Sequence, residues 1–226
     1  MGVVEVRNAD ILRPGIRRPD SIGVIEMINA LLAHGAKPDS TLPGPIPDKK
    51  ALGGGSPVAA DATPLFRAAK SADLAVMRLL LDKGADAAHV LKDGSTPLMA
   101  AAGIGPKIFM ADEDKREPTD DERLQAVELC LEHGADVNAV ETADAGGSTA
   151  LHIAAAKGAD GIVQVLLEHG AKTDIKDKMG RTALDVASGV THGPAYGPPP
   201  VPHETTMALI RKYTKPAPEP YEIVQQ

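Results

Sequence analysis

Two apolar patterns alternate along the chain. The first is short and rich in small residues: TPLFRAAKSAD from Thr63, TPLMAAAGIG from Thr96, TALHIAAAKGAD from Thr149 and TALDVASG from Thr182. The second carries Leu, Ile and Val and runs into a glycine: ALLAHGAKPD ending at Asp39, LLLDKGADAA at Ala88, ELCLEHGADVN at Asn138 and VLLEHGAKTD at Asp174. Each of these Thr residues predicts a helix N-cap, and Pro64 and Pro97 suit the first helical position, where no amide donor is needed. Gly35, Gly84, Gly134 and Gly170 stand where a left-handed residue ends a helix with little strain. The pattern therefore predicts helix pairs, a short Ala-rich helix A that lets neighbours approach and a helix B that supplies bulky side chains. Thr63 to Gly84 and Thr149 to Gly170 are both 21 positions, so two copies share one register.

The combination TxLxxAAxxG, a second helix, GADxN and a short turn before the next Thr resembles the ankyrin repeat, most closely from Thr149 to Arg181. The resemblance covers about residues 20 to 39 and 61 to 214. It implies an all-α solenoid of about five helix-turn-helix repeats, an array of bacterial type with long insertions in alternate repeats and finger loops on one side. The repeats fall at about 1–40, 61–94, 95–147, 148–180 and 181–214 in one domain spanning 1–214, with a long loop at 40–60 and a Pro-rich tail at 215–226. Such a stack is held by neighbouring interfaces, so three or more repeats are needed.

Departures from the period mark the individuality of this array. In the third repeat 17 extra residues, IGPKIFMADEDKREPTD, separate helix A from helix B. The fifth is interrupted by VTHGPAYGPPPVPHE, and the first reads as a damaged helix A, VVEVRNAD, then ILRPGIRRPD before its helix B. These insertions carry apolar residues (Ile11, Leu12 and Ile16; Ile108, Phe109 and Met110; Tyr196). Either the three fold together over one edge of the stack, or each plugs onto its nearest helix. The acidic run from Asp112 to Glu122 lacks the glycine turn and alternating ligands of a calcium loop and reads as a solvated face.

Composition narrows the function. Aromatics are 2% of the chain and the net charge is −7, which disfavours base stacking and attraction to nucleic acid or anionic lipid. No apolar run is long enough to span a membrane. The first residues lack a secretory signal, so the chain as given reads as cytoplasmic, or as periplasmic or secreted if a leader was removed. Cys130, on the apolar side of helix B, reads as a buried thiol. His34, His133 and His169 precede the helix-ending glycines, where a ring suits the negative end of the helix dipole. His152 stands in the TxLH position, where the resemblance implies a structural hydrogen bond; Phe66, Met99 and Asp185 take the equivalent positions, so the bonding is not expected to recur. His192 and His203 share an insertion but lack a third metal ligand. No catalytic residue and no cofactor is expected.

The reading is a non-catalytic scaffold for protein contacts. The family's variable contact positions, carried onto this sequence, are Ala62, Lys70 and Ser71; Lys92, Asp93 and Ser95; Ser148 and Lys157; Lys178, Met179 and Arg181. Phe109 and Tyr196 would add apolar anchors on the insertion edge. The alternative is a small-molecule or metal-binding accessory of an enzyme system, using the inserted loops. The first repeat lacks a TxLx start, so the chain also reads as a fragment of a longer array, with a homodimer through an exposed end as one outcome.

Overall fold

The computed structural model describes residues 23–41, 61–103, 117–142, 146–189 and 201–214. Among them are nine helices and no strand: α1 Val24–Ala33, α2 Pro64–Lys70, α3 Leu74–Asp82, α4 Pro97–Ala102, α5 Asp120–Glu132, α6 Ala150–Lys157, α7 Asp160–Glu168, α8 Ala183–Ala187 and α9 Glu204–Tyr213. Helices α2, α4, α6 and α8 are the A helices; α1, α3, α5, α7 and α9 are the B helices.

The helices form two layers. Each A helix from α2 to α8 packs on the next A helix, each B helix from α3 to α9 on the next B helix, and each A helix on its own B partner. The A layer is thin because small residues face its neighbours: Ala68, Ala69, Ala100, Ala101, Ala154, Ala155, Ala183 and Ala187 are all buried. The B layer fills the wider gap with Val76, Met77, Leu80, Val127, Ile162, Val163, Leu166 and Ile210. Burying a Leu or Ile side chain contributes about 1.5–3 kcal/mol, so this layer carries most of the apolar driving force. Helix α1 closes one end, with Ile28 buried and Val24, Ile25 and Leu32 half-covered.

The helix boundaries have the causes expected of them. Thr63, Thr96, Thr149 and Thr182 each accept a hydrogen bond from the amide three residues on, at 3.2–3.4 Å. At the other end, Gly35, Gly84, Gly134 and Gly170 all have φ between 83° and 90°. The amides of each glycine and of the alanine after it close onto helical carbonyls, as in Gly84 to Leu81 at 2.9 Å and Ala85 to Leu80 at 2.9 Å. The same pair of bonds recurs in the other three copies, so one Schellman motif ends four B helices.

Three expectations need correction. The third-repeat insertion does not run to Asp120, because Thr119 is the N-cap of α5 and Asp120 its first residue. Thr119 and Glu122 form a reciprocal capping box, with Thr119 N to Glu122 Oε2 at 2.9 Å and Glu122 N to Thr119 Oγ1 at 3.2 Å. Asp120, Asp121 and Glu122 then stand in the first turn, favoured by the helix dipole, and α5 has 13 residues against nine in α3 and α7. The fifth-repeat insertion likewise ends at His203, the N-cap position of α9, and not at Glu204. Finally, the His152 bonding is partly repeated: Asp185 Oδ2 accepts from the amide and the hydroxyl of Thr182, both at 2.8 Å, so a carboxylate does locally what the imidazole does.

The damaged first helix A, most of the 40–60 loop, the tail, and the apolar insertion residues Ile11, Leu12, Ile16, Ile108, Phe109, Met110 and Tyr196 lie outside the described residues. So do the two readings of how the insertions pack.

Candidate protein-binding face

Between each B helix and the following A helix the chain runs out and back as a finger. Asp86 and Asp136 start two of them by accepting from the amides of Ala88 and Asn138, both at 2.9 Å. Each finger then contains one residue whose amide bonds across the hairpin: Leu91 to the Ser95 carbonyl at 2.9 Å, Glu141 to Ser148 at 3.0 Å, and Asp177 to Arg181 at 2.9 Å.

These three central residues point inward, with Leu91 and Asp177 buried and Glu141 half-buried. Their flanking residues are exposed: Val90 and Lys92, Val140 and Thr142, Lys176 and Lys178. Alternation along an extended segment explains the arrangement, because neighbours of an inward residue must face out. Three successive fingers therefore display two outward side chains each: two valines, three lysines and a threonine, with no acid among the six.

The fingers are tied to one another. The Thr142 amide donates to the Asp93 carbonyl at 2.8 Å, and the Lys178 amide to Gly146 at 3.1 Å. Nearer the helices, the Asp86 amide donates to Asp39 at 3.1 Å, and Asn138 both accepts from the Lys172 amide at 2.8 Å and donates to the Gly170 carbonyl at 3.2 Å. Gly94 is required at its tip: its φ is +81°, and a Cβ there would stand 2.6 Å from the Thr142 amide nitrogen.

Where the fingers meet the A layer, a shallow cleft of about 210 Å³ opens between α6 and α8, lined by Ser148, Ile153, Ala156, Lys157, Arg181 and Val186 among others. Its polar wall is self-satisfied. Arg181 donates to Asp177 Oδ2 at 2.8 Å from Nε and 2.7 Å from Nη2, while Oδ1 accepts from the Met179 and Arg181 amides. Burial pushes the Asp177 carboxyl up, but these donors outweigh it and hold the group below its usual range. Beside it, His152 Nδ1 accepts from the Thr149 amide at 3.3 Å, leaving Nε2 to donate to the Arg181 carbonyl at 3.1 Å. Burial lowers its pKa and keeps the ring neutral, against the smaller pull of the Arg181 carbonyl and Asp177. Burial also raises the pKa of Glu141, opposed by its hydrogen bond from the Ser148 amide at 3.3 Å.

The expected contact residues are divided by this geometry. Lys70, Lys92, Asp93, Lys157, Lys178 and Met179 are exposed, and Ser71, Ser148 and Arg181 are half-buried. Ala62 and Ser95 are 1% and 2% exposed, so neither side chain can meet a partner. Ala62 belongs to the core packing, and Ser95 closes the Leu91 hairpin with its carbonyl while its amide donates to Asp93 at 2.9 Å. Phe109 and Tyr196 lie outside the described residues. Sequence reasoning passed over Val90, Val140 and Lys176; the signal was their spacing of two from Lys92, Thr142 and Lys178 across an inward residue.

The other candidates are structural. His133 and His169 donate from Nδ1 to the carbonyls of Leu129 and Val165, each at 2.8 Å, closing the ends of α5 and α7. Cys130 is buried, and burial pushes its thiol up to about 12, so it is a poor nucleophile. Among the described residues no group of His, Cys, Asp or Glu is arranged to hold a metal ion, and no helix is long and apolar enough to cross a membrane.

Three family models of ankyrin repeats match, at residues 65–110, 93–141 and 119–193, together more than half of the chain without a gap. The chain belongs to the ankyrin repeat family, whose arrays are protein-interaction modules. It is similar to the ankyrin repeat and KH domain-containing protein mask of Drosophila melanogaster, 36% identical over 48% of this chain and 2% of that protein. It is similar also to human ankyrin repeat and SOCS box protein 16, 35% identical over 58% of this chain and 24% of that one. A further relative, from Oryza sativa subsp. japonica, is named as a probable E3 ubiquitin-protein ligase, XBOS34, and is 35% identical over 51% of this chain and 19% of its own length. The chain thus spans a quarter or less of these relatives.

Proposed function

We propose that the chain is a non-catalytic scaffold that binds a protein partner through the outer edges of its fingers and the adjoining A-helix surface of repeats two to five. The observation that carries the reading is the repeated display of Val90 and Lys92, Val140 and Thr142, and Lys176 and Lys178 on fingers bonded side by side. A surface held in place before binding loses little conformational freedom when a partner docks. A non-catalytic role is supported by the cleft, where the buried His152 and Asp177 are committed to holding their own hairpin and cap.

The test is affinity capture from the source proteome with the intact chain, set against Lys92→Glu with Lys178→Glu, and against Gln164→Arg with Glu168→Arg on the exposed side of α7. The reading expects a captured protein that the finger pair loses and the α7 pair retains. Loss with the α7 pair and retention with the finger pair would move the site to the B-helix face.

A further inference from the structure

The charges of this array are separated. The six outward finger side chains include Lys92, Lys176 and Lys178 and no acid, whereas Asp82, Glu132 and Glu168 are exposed on the B helices and Asp120 and Asp121 at the start of α5. Acids that do lie at the fingers are turned to internal use. Asp177 is locked to Arg181, Glu141 accepts from the Ser148 amide, Asp61 accepts from the Lys92 amide at 2.6 Å, and Asp93 accepts from the Ser95 amide. A chain of net charge −7 thus presents a cationic strip. Complementary charge across an interface chiefly sets which partner is accepted and how fast it arrives.

Apolar groups lie within that strip. Val90 and Val140 are 56% and 44% exposed and occupy equivalent places on successive fingers, and Met179 at the next tip is 40% exposed. Helix packing sets successive repeats about 10 Å apart. The lysines of the second and fourth repeats are therefore separated by about 20 Å, with Val140 midway. An extended chain rises about 3.3 Å per residue and covers that distance in about six.

We propose that the finger strip recognises an extended acidic segment of a partner protein, with carboxylates about six residues apart facing Lys92 and the Lys176–Lys178 pair, and an aliphatic residue between them on Val140. This rests on the protein-binding reading and adds the chemistry of the bound segment.

The probe is a fluorescein-labelled peptide, Glu-Glu-Ser-Leu-Leu-Ser-Glu-Glu, measured by anisotropy against versions with Gln or Lys in place of Glu, and against an oligothymidylate of equal charge. The acidic peptide is expected to bind at least about tenfold tighter than the Gln peptide at low salt and to weaken as salt rises. Lys92→Glu with Lys178→Glu should abolish that preference, while Val140→Ser should weaken binding at every salt concentration. Circular dichroism of each variant should match the parent, since all three positions are exposed. Equal affinity for the acidic and Gln peptides, or tighter binding of the oligothymidylate, would overturn the proposal. Cross-linking separates the two readings: a captured partner that is lost with the finger variants but touches them through a neutral or basic segment sinks the acidic chemistry and leaves the site standing.

Discussion

The ring of His203 lies on Gly158, so closely that a Cβ on the glycine would stand 2.4 Å from Nδ1. Gly158 is the left-handed C-cap of α6, with φ +65°, and His203 opens α9 with its amide bonded to the Ala187 carbonyl at 2.9 Å. The end of one repeat's A helix thus seats the start of the next repeat's B helix. Gly158→Ala meets both backbone strain and this contact, and a loss of about 2–3 kcal/mol is expected in urea unfolding. The double variant with His203→Ala should recover part of the loss; identical losses in single and double variants would show that backbone strain is the whole effect.

His152 makes stability depend on pH. Its folded pKa lies below the ordinary value of 6.5, so the unfolded chain takes up the proton first. The stabilisation is complete above pH 6.5 and is lost as pH falls from there through the lower folded value. Denaturant unfolding at pH 7.5 and 5.5 should show this decline in the parent chain and a shallower one in His152→Gln, which lacks the titrating ring. Asp177 contributes a separate loss at lower pH, fading as pH falls from 3.8 through its depressed value.

Thr206, buried on α9, donates through Oγ1 to Asp160 Oδ1 at the start of α7. Thr206→Val keeps the volume but leaves the carboxylate without this donor, costing about 1–3 kcal/mol. Hydrogen exchange should locate the effect: amides of α9 should lose protection while those of α3 and α4 keep theirs, because distant repeats share only their neighbours' contacts.

Cys130 offers a readout of opening. With its thiol buried and its pKa near 12, native protein should react with a thiol reagent such as dithionitrobenzoate only as fast as α5 opens. The rate should rise with denaturant in step with unfolding. A fast reaction in native buffer would contradict the burial of this side chain.

Gly94→Ala tests the coupling of the fingers. A Cβ at this tip collides with the Thr142 amide and the Glu141 backbone, and φ +81° is unfavourable for any side chain. A loss of about 2 kcal/mol is expected, together with faster exchange of the Thr142 amide, which bonds to Asp93.

The repeat architecture was legible because its punctuation is local. A threonine that caps, a proline at N1 and a glycine at C′ act through bonds within five residues, so Thr63, Pro64 and Gly84 could be read in isolation. The start of α5 was equally local, but its Thr119-Glu122 box lay inside a run judged only by its excess length. The role of Asp185 was missed because a carboxylate replaces the imidazole; what matters there is an acceptor three residues beyond Thr182, whatever its chemical type. The face was half-legible. Lys92 and Lys178 stood at positions that vary in the family, but the burial of Ala62 and Ser95 depends on packing from neighbouring elements. Val90 and Val140 look like core residues by type, and only the inward turn of Leu91 and Glu141 puts them outside.

The four helix-ending glycines have one further consequence. Nothing lies within 4 Å of where a Cβ would be on Gly35, Gly84, Gly134 or Gly170, so these corners demand a handedness of the backbone and no matching neighbour. Each is portable. A unit bounded by such corners can be duplicated, deleted or traded for another without redesigning the joint, which leaves the lineage free to rewrite everything displayed between them.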